Sequence, residues 1–207
     1  MATQTQPTIP AQMNPGPSTG LVPYRLTVAQ FLRMIEAGIF QDKDDVELLA
    51  GRLIKKMTKD DPHDFAVTSL GQKYRGILGP SWVVREEKSV VLGRYWRPEP
   101  DLTAVRGPLD RYRTRAPRPA DIGLLAEVAD STYAKDRGLK WTKYAACKVA
   151  TYWIVNIPER RVEVYSSPTG RGNAARYQER RDYGPDDEVP VIVEGRELGR
   201  IKVSEIL

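Results

Sequence analysis

The sequence predicts an α/β domain built on a central mixed β-sheet flanked by helices. Its 207 residues suit one medium-sized domain with a substantial core. Apolar residues recur at helical spacing in three segments, whereas several other segments are short apolar runs typical of strands. The predicted order is helix, hairpin, helix, several strands, helix and further strands. An apolar fraction of 41% and a charged fraction of 29% are ordinary for a soluble globular protein.

The N-terminal residues 1–22 are rich in Pro, Gln, Thr and Gly. We expect them to form a disordered tail before a single domain over residues 23–207. The tail lacks the basic start and the apolar block of a secretory signal, and no run of about 18 apolar residues could span a membrane. Cys147 is the only cysteine, which excludes an intrachain disulfide and a multi-cysteine zinc site. A cytoplasmic protein without a membrane partner is therefore expected.

The first two helices have recognisable start signals. In LTVAQFLRMIEAGIF, Thr27 and Gln30 fit a capping box, and the apolar stripe consists of Val28, Phe31, Leu32 and Ile35. VELLAGRLIKKM then indicates two short strands around a turn at Ala50 and Gly51. The second helix is predicted to start at Asp61 and Pro62 and to stop at Gly79-Pro80. Its inward stripe consists of Val67, Leu70, Tyr74 and Ile77.

The remaining segments favour strands, with one further helix. WVVREEKSVVL, PDLTAV and IGLLAEVA indicate strands, and RGLKWTKYAACK indicates a helix. ATYWIVNI and RVEVYSS indicate two more strands. Residues 168–181 are polar and contain glycine, so we expect an irregular hairpin there. VPVIV and GRIKVSEIL predict a closing strand and a short final turn.

Glu127 is an acid inside an apolar strand. Alternation along the strand puts its side chain on one face with Gly123, Leu125 and Ala129. A buried carboxylate is costly unless it is paired or binds a metal. Two interpretations follow: a structural ion pair, for example with Arg137 or Lys140, or a functional site.

Asp101 adds a second carboxylate. It follows Pro98-Glu99-Pro100, which keeps the chain extended, and it begins a short apolar strand. Two carboxylates on neighbouring strands offer the hard oxygen ligands that Mg²⁺ or Mn²⁺ prefers. An ion held there would activate water and stabilise charge on a phosphodiester.

The following helix supplies cations. At helical spacing Asp136, Lys140 and Tyr144 share one face, with Lys143 beside it. One interpretation is an exposed basic face with an Asp136–Lys140 pair of small stabilising effect. The other is that Lys140 reaches back to the carboxylates to neutralise developing charge. Lys143 is an alternative for that role.

A basic loop follows the Asp101 segment. RGPLDRYRTRAPR contains five arginines, and the net charge of the chain is +5. This balance is compatible with a polyanionic partner without proving one. The loop is either a solvated surface or a source of phosphate contacts, for which the candidates are Arg111, Arg113 and Arg115.

These pieces together resemble one known family. PEPDLTAV, LLAEVADST, KDRGLKWTKYA and ATYWIVNI occur in its order and spacing, as do VELLAGRLI and PHDFAV near the start. The resemblance, from residue 24 to residue 207, is to the bacterial Uma-two-type family described as putative restriction endonucleases. That family is a branch of the PD-(D/E)XK nuclease superfamily. It implies a restriction-endonuclease-like core.

The resemblance also implies site residues. Asp101 and Glu127 would bind the metal together with the carbonyl of Val128. The superfamily's usual lysine lies two residues after the glutamate, where this chain has Ala129. The matching lysine of this branch is Lys140 on the next helix.

Two further positions match the family. Glu47 could help to hold metal or water, and His63 could be a base or a phosphate contact, with a capping or packing role as the alternative. The chain departs from the family's GV-EYW-VD signature at Lys148, Thr151 and Asn156. Lys148 stands where a glycine would ease a left-handed conformation at a helix end.

The implied function is a Mg²⁺-dependent endodeoxyribonuclease, with Mn²⁺ as a substitute for Mg²⁺ and DNA as the substrate. Cleavage of both strands would favour a homodimer. The alternative is a catalytically weak or inactive module on the same fold that binds nucleic acid or a protein.

Overall fold

The computed structural model describes residues 22–41 and 44–207. The predicted tail therefore lies outside the described residues, apart from its last residue, Val22. No helix in the described ranges is long and apolar enough to cross a membrane.

A six-stranded sheet forms the centre of the structure, in the order β3-β4-β5-β6-β7-β8. Neighbouring strands pair antiparallel except β5 and β6, which are parallel. The sheet is therefore mixed, and the predicted α/β class is confirmed. The strands are β3 (Trp82–Glu86), β4 (Leu102–Arg106), β5 (Ile122–Ala129), β6 (Tyr152–Asn156), β7 (Arg161–Thr169) and β8 (Arg176–Tyr183).

Helices pack on both faces of this sheet. Helix α2 (Asp61–Ile77) places Leu70 and Tyr74 against the face that carries Leu124 and Ala126. The opposite face carries Leu125, Ala129 and Tyr152, and it packs against Tyr144 and Ala145 of α4 (Trp141–Ala146). All eight residues of β5 are buried. Because side chains alternate across a strand, Glu127 points to the α4 face.

The first two helices begin where the sequence predicts. In α1 (Val28–Glu36) the Thr27 side chain accepts a hydrogen bond from the Gln30 backbone N–H (3.2 Å), and the Gln30 side chain accepts one from the Thr27 N–H (2.9 Å). The capping box is therefore confirmed. Asp60 caps α2 by accepting a hydrogen bond from the His63 N–H (3.1 Å).

Two hairpins lie outside the central sheet. The first joins β1 (Val46–Leu49) to β2 (Arg52–Lys55) through Ala50 and Gly51, both at positive φ. The second joins β9 (Glu188–Val193) to β10 (Arg196–Lys202). The predicted short final turn is present at Val203–Glu205, and the residues just before it belong to β10.

Two predicted elements differ from the structure. The strand predicted over residues 82–92 stops at Glu86, because Glu87 adopts a positive φ of 51° that breaks the strand. The hairpin predicted to be irregular over residues 168–181 is mostly regular: β7 continues to Thr169 and pairs with β8. Its polar residues are exposed on the last strand of the sheet, which explains the missing apolar pattern.

The helix after β5 begins earlier than predicted and is not a uniform α-helix. It consists of α3 (Tyr133–Lys135), a π-helical turn at Asp136–Lys140, and α4. Lys148 ends this segment with a φ of 60°. The left-handed conformation suggested by the missing glycine is therefore present, with a lysine in it.

Candidate active site

A cavity of about 100 Å³ opens at the carboxyl end of β5. Asp101, just before β4, enters it because β4 and β5 are antiparallel, so the start of one strand adjoins the end of the other. Its Oδ2 accepts a hydrogen bond from the Val128 N–H (2.7 Å). We call this cavity the acidic pocket; its lining includes Glu47, His63, Asp101, Glu127, Val128, Lys135, Asp136 and Lys140.

The backbone of β5 directs the Val128 carbonyl to the same edge. The Leu125 N–H donates to Thr151, and Ala129 accepts from Ile157, so these alternate residues bond to the β6 side. N–H and C=O of one residue in a strand point the same way. The Val128 N–H points away from β6 and bonds to Asp101. The carbonyl of Val128 therefore points to the same side, beyond the end of β4.

Glu127 is held by two donors on one oxygen. Its Oε1 accepts hydrogen bonds from Lys140 Nζ (3.0 Å) and from the Tyr144 hydroxyl (2.6 Å). Among the described residues no donor bonds to Oε2. The carboxylate therefore has a fixed orientation and one oxygen available to a ligand in the acidic pocket.

Lys140 is buried in the middle of the acids, with 3% of its surface exposed. Besides Glu127, its Nζ lies 3.4 Å from Asp136 Oδ1 and 3.9 Å from Glu47 Oε2. The exposed basic face considered from the sequence is therefore not what forms at this position. Lys143 points elsewhere, with its Nζ 5.4 Å from the centre of the Trp96 ring.

Of the two partners considered for Glu127, the structure places Lys140 beside it. Arg137 instead donates to the Tyr165 hydroxyl (2.8 Å) and lies 3.5 Å from Glu163. Lys140 is the last residue of the π-helical turn, which contains one more residue than an α-helical turn. Such turns often occur at functional sites.

Glu47 reaches the pocket from β1. It accepts hydrogen bonds from the Glu99 N–H (3.2 Å) and from Lys135 Nζ (3.1 Å), and only 1% of its surface is exposed. The position predicted from the family resemblance therefore lies within the same cluster as Lys140. Whether it contributes to binding or catalysis stays a prediction.

His63 connects α2 to Asp101. Its Nε2 lies 3.5 Å from Asp101 Oδ1 and its Nδ1 lies 3.7 Å from Asp64 Oδ1. Burial lowers the pKa of His63, but the neighbouring Asp101 carboxylate outweighs burial and leaves the pKa above its ordinary value. The side chain is buried, and its backbone N–H is the one that Asp60 caps. It thus combines packing with a direct position beside Asp101.

A second acidic group adjoins the pocket. Ligand atoms of His63, Asp64 and Glu87 lie within 4.8 Å of one another. However, Asp64 is largely exposed and Glu87 is paired with Lys59, so a bound ion would have to compete with water and with an ammonium group. The acidic pocket is the more enclosed of the two candidate metal positions.

The charges in the acidic pocket do not balance. Its lining contains four ammonium groups and seven carboxylates: Lys56, Lys59, Lys135 and Lys140, and Glu47, Asp60, Glu99, Asp101, Glu127, Asp130 and Asp136. With every carboxylate ionised and His63 neutral, three negative charges are left over. Excess negative charge in a buried site favours uptake of a proton or of a cation.

The pKa values follow this imbalance. Burial raises the pKa of Glu127 well above its usual range, and only part of this is offset by Lys140. Burial lowers the pKa of Lys140, but the surrounding carboxylates outweigh burial and leave it raised. Burial raises the pKa of Asp101, yet His63, Lys140 and the Val128 N–H reverse this and leave it lowered. Burial thus works against the charge on Glu127, whereas the surroundings favour the charged forms of Lys140 and Asp101.

Sequence reasoning missed some of the residues that surround this site. The helical spacing predicts the Asp136–Lys140 pair, but it does not predict the hydrogen bond from Tyr144 to Glu127 or the contact of Lys135 with Glu47. Asp136 lies one helical turn before Lys140, and its Oδ2 accepts from the Thr132 hydroxyl (2.5 Å). The i, i+4 spacing is the one sequence signal for Asp136. No sequence pattern predicts the contacts of Tyr144 and Lys135 with residues of other elements.

The arginines predicted as phosphate contacts lie at the opposite end of β4. The loop that contains them follows Arg106, about 17 Å along the strand from Asp101. Arg115 forms a bidentate pair with Asp121 (2.7 and 3.2 Å), Arg111 lies 3.7 Å from the same carboxylate, and Arg113 pairs with Asp110. The structure does not bring this loop to the acidic pocket.

The donor set fits a divalent hard cation. Asp101 and Glu127 offer carboxylate oxygens, and the carbonyl of Val128 points to the same place. Mg²⁺ and Mn²⁺ favour such all-oxygen surroundings with water at the remaining positions. A divalent cation would also offset two of the three excess negative charges.

Comparison with known proteins supports the same assignment of fold and family. The family model Uma2, described as "Putative restriction endonuclease", matches residues 28–199. A solved structure from Anabaena variabilis ATCC 29413, described as a putative nuclease belonging to DUF820, aligns with a TM-score of 0.60 at 15% identity. The alignment covers 87% of this chain and 97% of the other. No curated protein matches the chain. The family resemblance and the predicted nuclease-like fold are both confirmed.

Proposed function

The chain belongs to the Uma2 family, and we propose that it is a metal-dependent endonuclease that hydrolyses phosphodiester bonds in DNA. The observation that carries this proposal is the acidic pocket, where Glu127 pairs with a buried lysine and Asp101 lines the same cavity, in a site with excess negative charge. Mg²⁺ is the proposed cofactor, with Mn²⁺ as a substitute.

Asp101, Glu127 and the carbonyl of Val128 would hold the metal ion. When bound, the ion supplies activation of water and stabilisation of charge on the phosphate. The protein keeps these ligands in place: the Val128 N–H fixes Asp101, and the Tyr144 hydroxyl fixes Glu127. Preformed orientation of this kind lowers the cost of assembling the reactive arrangement.

Lys140 is the proposed stabiliser of negative charge on the phosphate. Its ammonium is held by three carboxylates around the pocket, so its position requires no rearrangement. Its raised pKa keeps it protonated throughout the neutral range. Glu47, which accepts from Lys135, would position Lys140 or a water molecule.

His63 and Lys143 have different parts in this proposal. His63 lies beside Asp101, where its imidazole would orient that carboxylate or contact a substrate phosphate. Lys143 faces Trp96 and has no role at the metal. A cytoplasmic location also belongs to the proposal. So does a homodimer, because two copies related by a two-fold axis would cut both strands of a duplex.

Cleavage of supercoiled plasmid DNA tests this proposal. The wild type is expected to nick or linearise the plasmid with Mg²⁺ or Mn²⁺ and to be inactive in EDTA. Asp101→Ala and Lys140→Ala should abolish the activity, whereas Lys143→Ala should retain it. If DNA and RNA substrates both remain intact with either metal, the proposal is wrong.

The alternative is a module on the same fold that binds nucleic acid or protein without cutting. The observation that favours it is the tight packing of Glu127 against Lys140, because a resident ammonium can serve as a purely structural counter-ion. In that case DNA binding would be salt-sensitive, would persist in EDTA and would survive Asp101→Ala.

A further inference from the structure

A basic groove lies beside α1. It has a volume of about 560 Å³ and runs between α1 and the loop that follows β4. We call it the arginine groove, because its lining contains Arg85, Arg97, Arg113, Arg115 and Arg118. Glu36 is the one carboxylate among the described residues that line it. The groove thus collects arginines from three separate segments of the chain.

Three of these arginines form no ion pair with a described residue; Arg118 is exposed, and the other two are half-buried. Arg85 and Arg97 are half-buried, and among residues 22–41 and 44–207 neither forms an ion pair. The Nη1 of Arg85 donates to the Ser89 carbonyl (3.3 Å). Burial lowers the pKa of both groups; the charge of Arg97 lowers the pKa of Arg85 further, whereas the Glu99 carboxylate opposes the effect of burial at Arg97. A half-buried unpaired charge is unfavourable, so a bound anion would relieve it.

The other members of the groove give it shape and selectivity. The guanidinium groups of Arg85 and Arg115 lie 5.7 Å and 5.2 Å, respectively, from the centre of the Tyr112 ring. Arg115 is held by Asp121, and Arg113 is held by Asp110. With these two carboxylates and Glu36 counted, five guanidinium charges face three negative charges. A net charge of two positive remains.

One extended stretch of chain, residues 97–101, connects the arginine groove to the acidic pocket. Arg97 and Glu99 each precede a proline, which keeps them extended. Because residues alternate in extended chain, Arg97, Glu99 and Asp101 share one side, while the prolines between them are buried. Arg97 and Asp101 lie at the two ends of this stretch, four residues or about 13 Å apart.

The pairing of β3 with β4 also places the arginine groove close to the acidic pocket. Arg85 pairs with Thr103, two residues along from Asp101, and the Glu87 N–H donates to the Asp101 carbonyl. The nearest part of the groove is therefore about 7 Å of strand from the acidic pocket. A DNA strand advances about 3.4 Å along the helix axis for each phosphate. Phosphates a few nucleotides from the scissile bond would reach the groove.

We propose that the arginine groove binds a backbone phosphate of the same DNA molecule that enters the acidic pocket, with Arg85 and Arg97 as its anchors. This inference rests on the proposed function. Planar guanidinium groups present paired donors that match phosphate oxygens. The contact positions the DNA for cleavage without reading its sequence. It also gives the arginines of the loop a place beside substrate although they lie far from the metal ligands.

DNA binding by the full chain in EDTA tests this assignment without requiring catalysis. The affinity for a fluorescent duplex is measured by anisotropy for the wild type, for the double variant Arg85→Gln/Arg97→Gln, and for the matched control Arg196→Gln/Arg200→Gln. The control removes the same charge from the exposed strand β10. The groove variant should bind about tenfold more weakly near 0.1 M salt, with the slope of log K against log[salt] reduced by about 1. The control should stay within about twofold of the wild type.

Two results would overturn the inference. One is an unchanged affinity and salt slope for the groove variant; the other is an equal loss in both double variants, which would indicate only a general charge effect. Melting temperatures of all variants check the fold. If the double variant does not fold, Arg97→Gln alone decides, because the Arg97 guanidinium has no hydrogen-bond partner among the described residues to lose.

A second measurement separates DNA phosphate from free phosphate. Inorganic phosphate is added during thermal unfolding of the wild type and of the groove variant. Stabilisation of the wild type alone, combined with unchanged DNA affinity of the variant, would assign the groove to a free anion and overturn its role in DNA binding. Wild type that binds DNA through the groove but does not cut it with Mg²⁺ would support this inference and contradict the proposed nuclease activity.

Discussion

Lys140 Nζ donates a hydrogen bond of 3.0 Å to Glu127 Oε1, and both side chains are almost completely buried. An ion pair in such surroundings has a large desolvation cost, and removal of one partner leaves the other uncompensated. The pair is therefore sensitive to substitution whether or not the site is catalytic.

Removal of the lysine charge should destabilise the metal-free protein. For Lys140→Met we expect the free energy of unfolding in EDTA to fall by about 3 kcal/mol, because Glu127 and its neighbours lose their buried counter-ion. Urea unfolding measures this change. Lys143→Met is the matched control, and the loss of its contact with Trp96 should cost only about 0.5–1 kcal/mol. Equal effects of the two substitutions would contradict the arrangement described here.

The second prediction concerns the single histidine of the chain. Because His63 is the only one, its imidazole resonance in proton NMR can be followed without assignment. In metal-free protein its pKa should lie above the ordinary value of about 6.5, since Asp101 stabilises the imidazolium. Asp101→Asn should lower that pKa clearly, and Asp64→Asn should lower it less. A wild-type pKa at or below the ordinary value would contradict the contact.

The sign of the linked stability follows from this shift. A raised pKa in the folded state means that the folded protein binds the proton more tightly than the unfolded chain does. The stabilisation from His63 is thus fully present below about pH 6.5 and is lost as the pH rises through the higher folded pKa. His63→Gln should remove this part of the pH dependence of the melting temperature.

The third prediction concerns metal binding without catalysis. Mg²⁺ should stabilise the wild type, by about 2.7 kcal/mol when its concentration is a hundred times the dissociation constant. EDTA should reverse the effect. Asp101→Asn should abolish it, because one ligand is lost, whereas Asp64→Asn should retain it. The opposite outcome would place the ion at the exposed group of His63, Asp64 and Glu87.

The fourth prediction tests the packing that supports the site. A Cβ at Gly123 would lie 2.4 Å from the ring of Trp82 and 2.7 Å from Val193. Gly123→Ala should therefore destabilise the protein by about 1–3 kcal/mol through overpacking next to β5. Gly76→Ala is the control, because its Cβ would meet nothing within 4 Å and alanine favours a helix by about 1 kcal/mol. Thermal unfolding of both variants should show shifts in opposite directions.

Much of the fold can be predicted from local sequence patterns. The capping box at Thr27 and the apolar runs of β5 and β6 depend on neighbouring residues, so spacing alone predicts them. The end of β3 at Glu86 was not predictable in this way, because the following positive φ has no residue signature. The long β7–β8 hairpin was missed for another reason: an exposed strand carries little apolar pattern.

The candidate site was predictable to a similar extent. Asp101 and Glu127 were recognisable as acids beside or within apolar strands, and the spacing of the next helix identified Lys140. The contact of Glu47 with Lys135 joins residues 88 positions apart, and no local pattern contains it. The half-buried pair Arg85 and Arg97 was missed for the same reason, since only the fold brings these arginines into one groove.

The position of a bound ion tests the central claim most directly. Crystals of the full chain soaked in Mn²⁺ and measured at the manganese absorption edge would reveal the ion by its anomalous signal. The account predicts a peak about 2.0–2.3 Å from oxygens of Asp101 and Glu127, with Lys140 beside the same cavity. A peak at His63, Asp64 and Glu87, or no peak in a crystal with an open pocket, would contradict it.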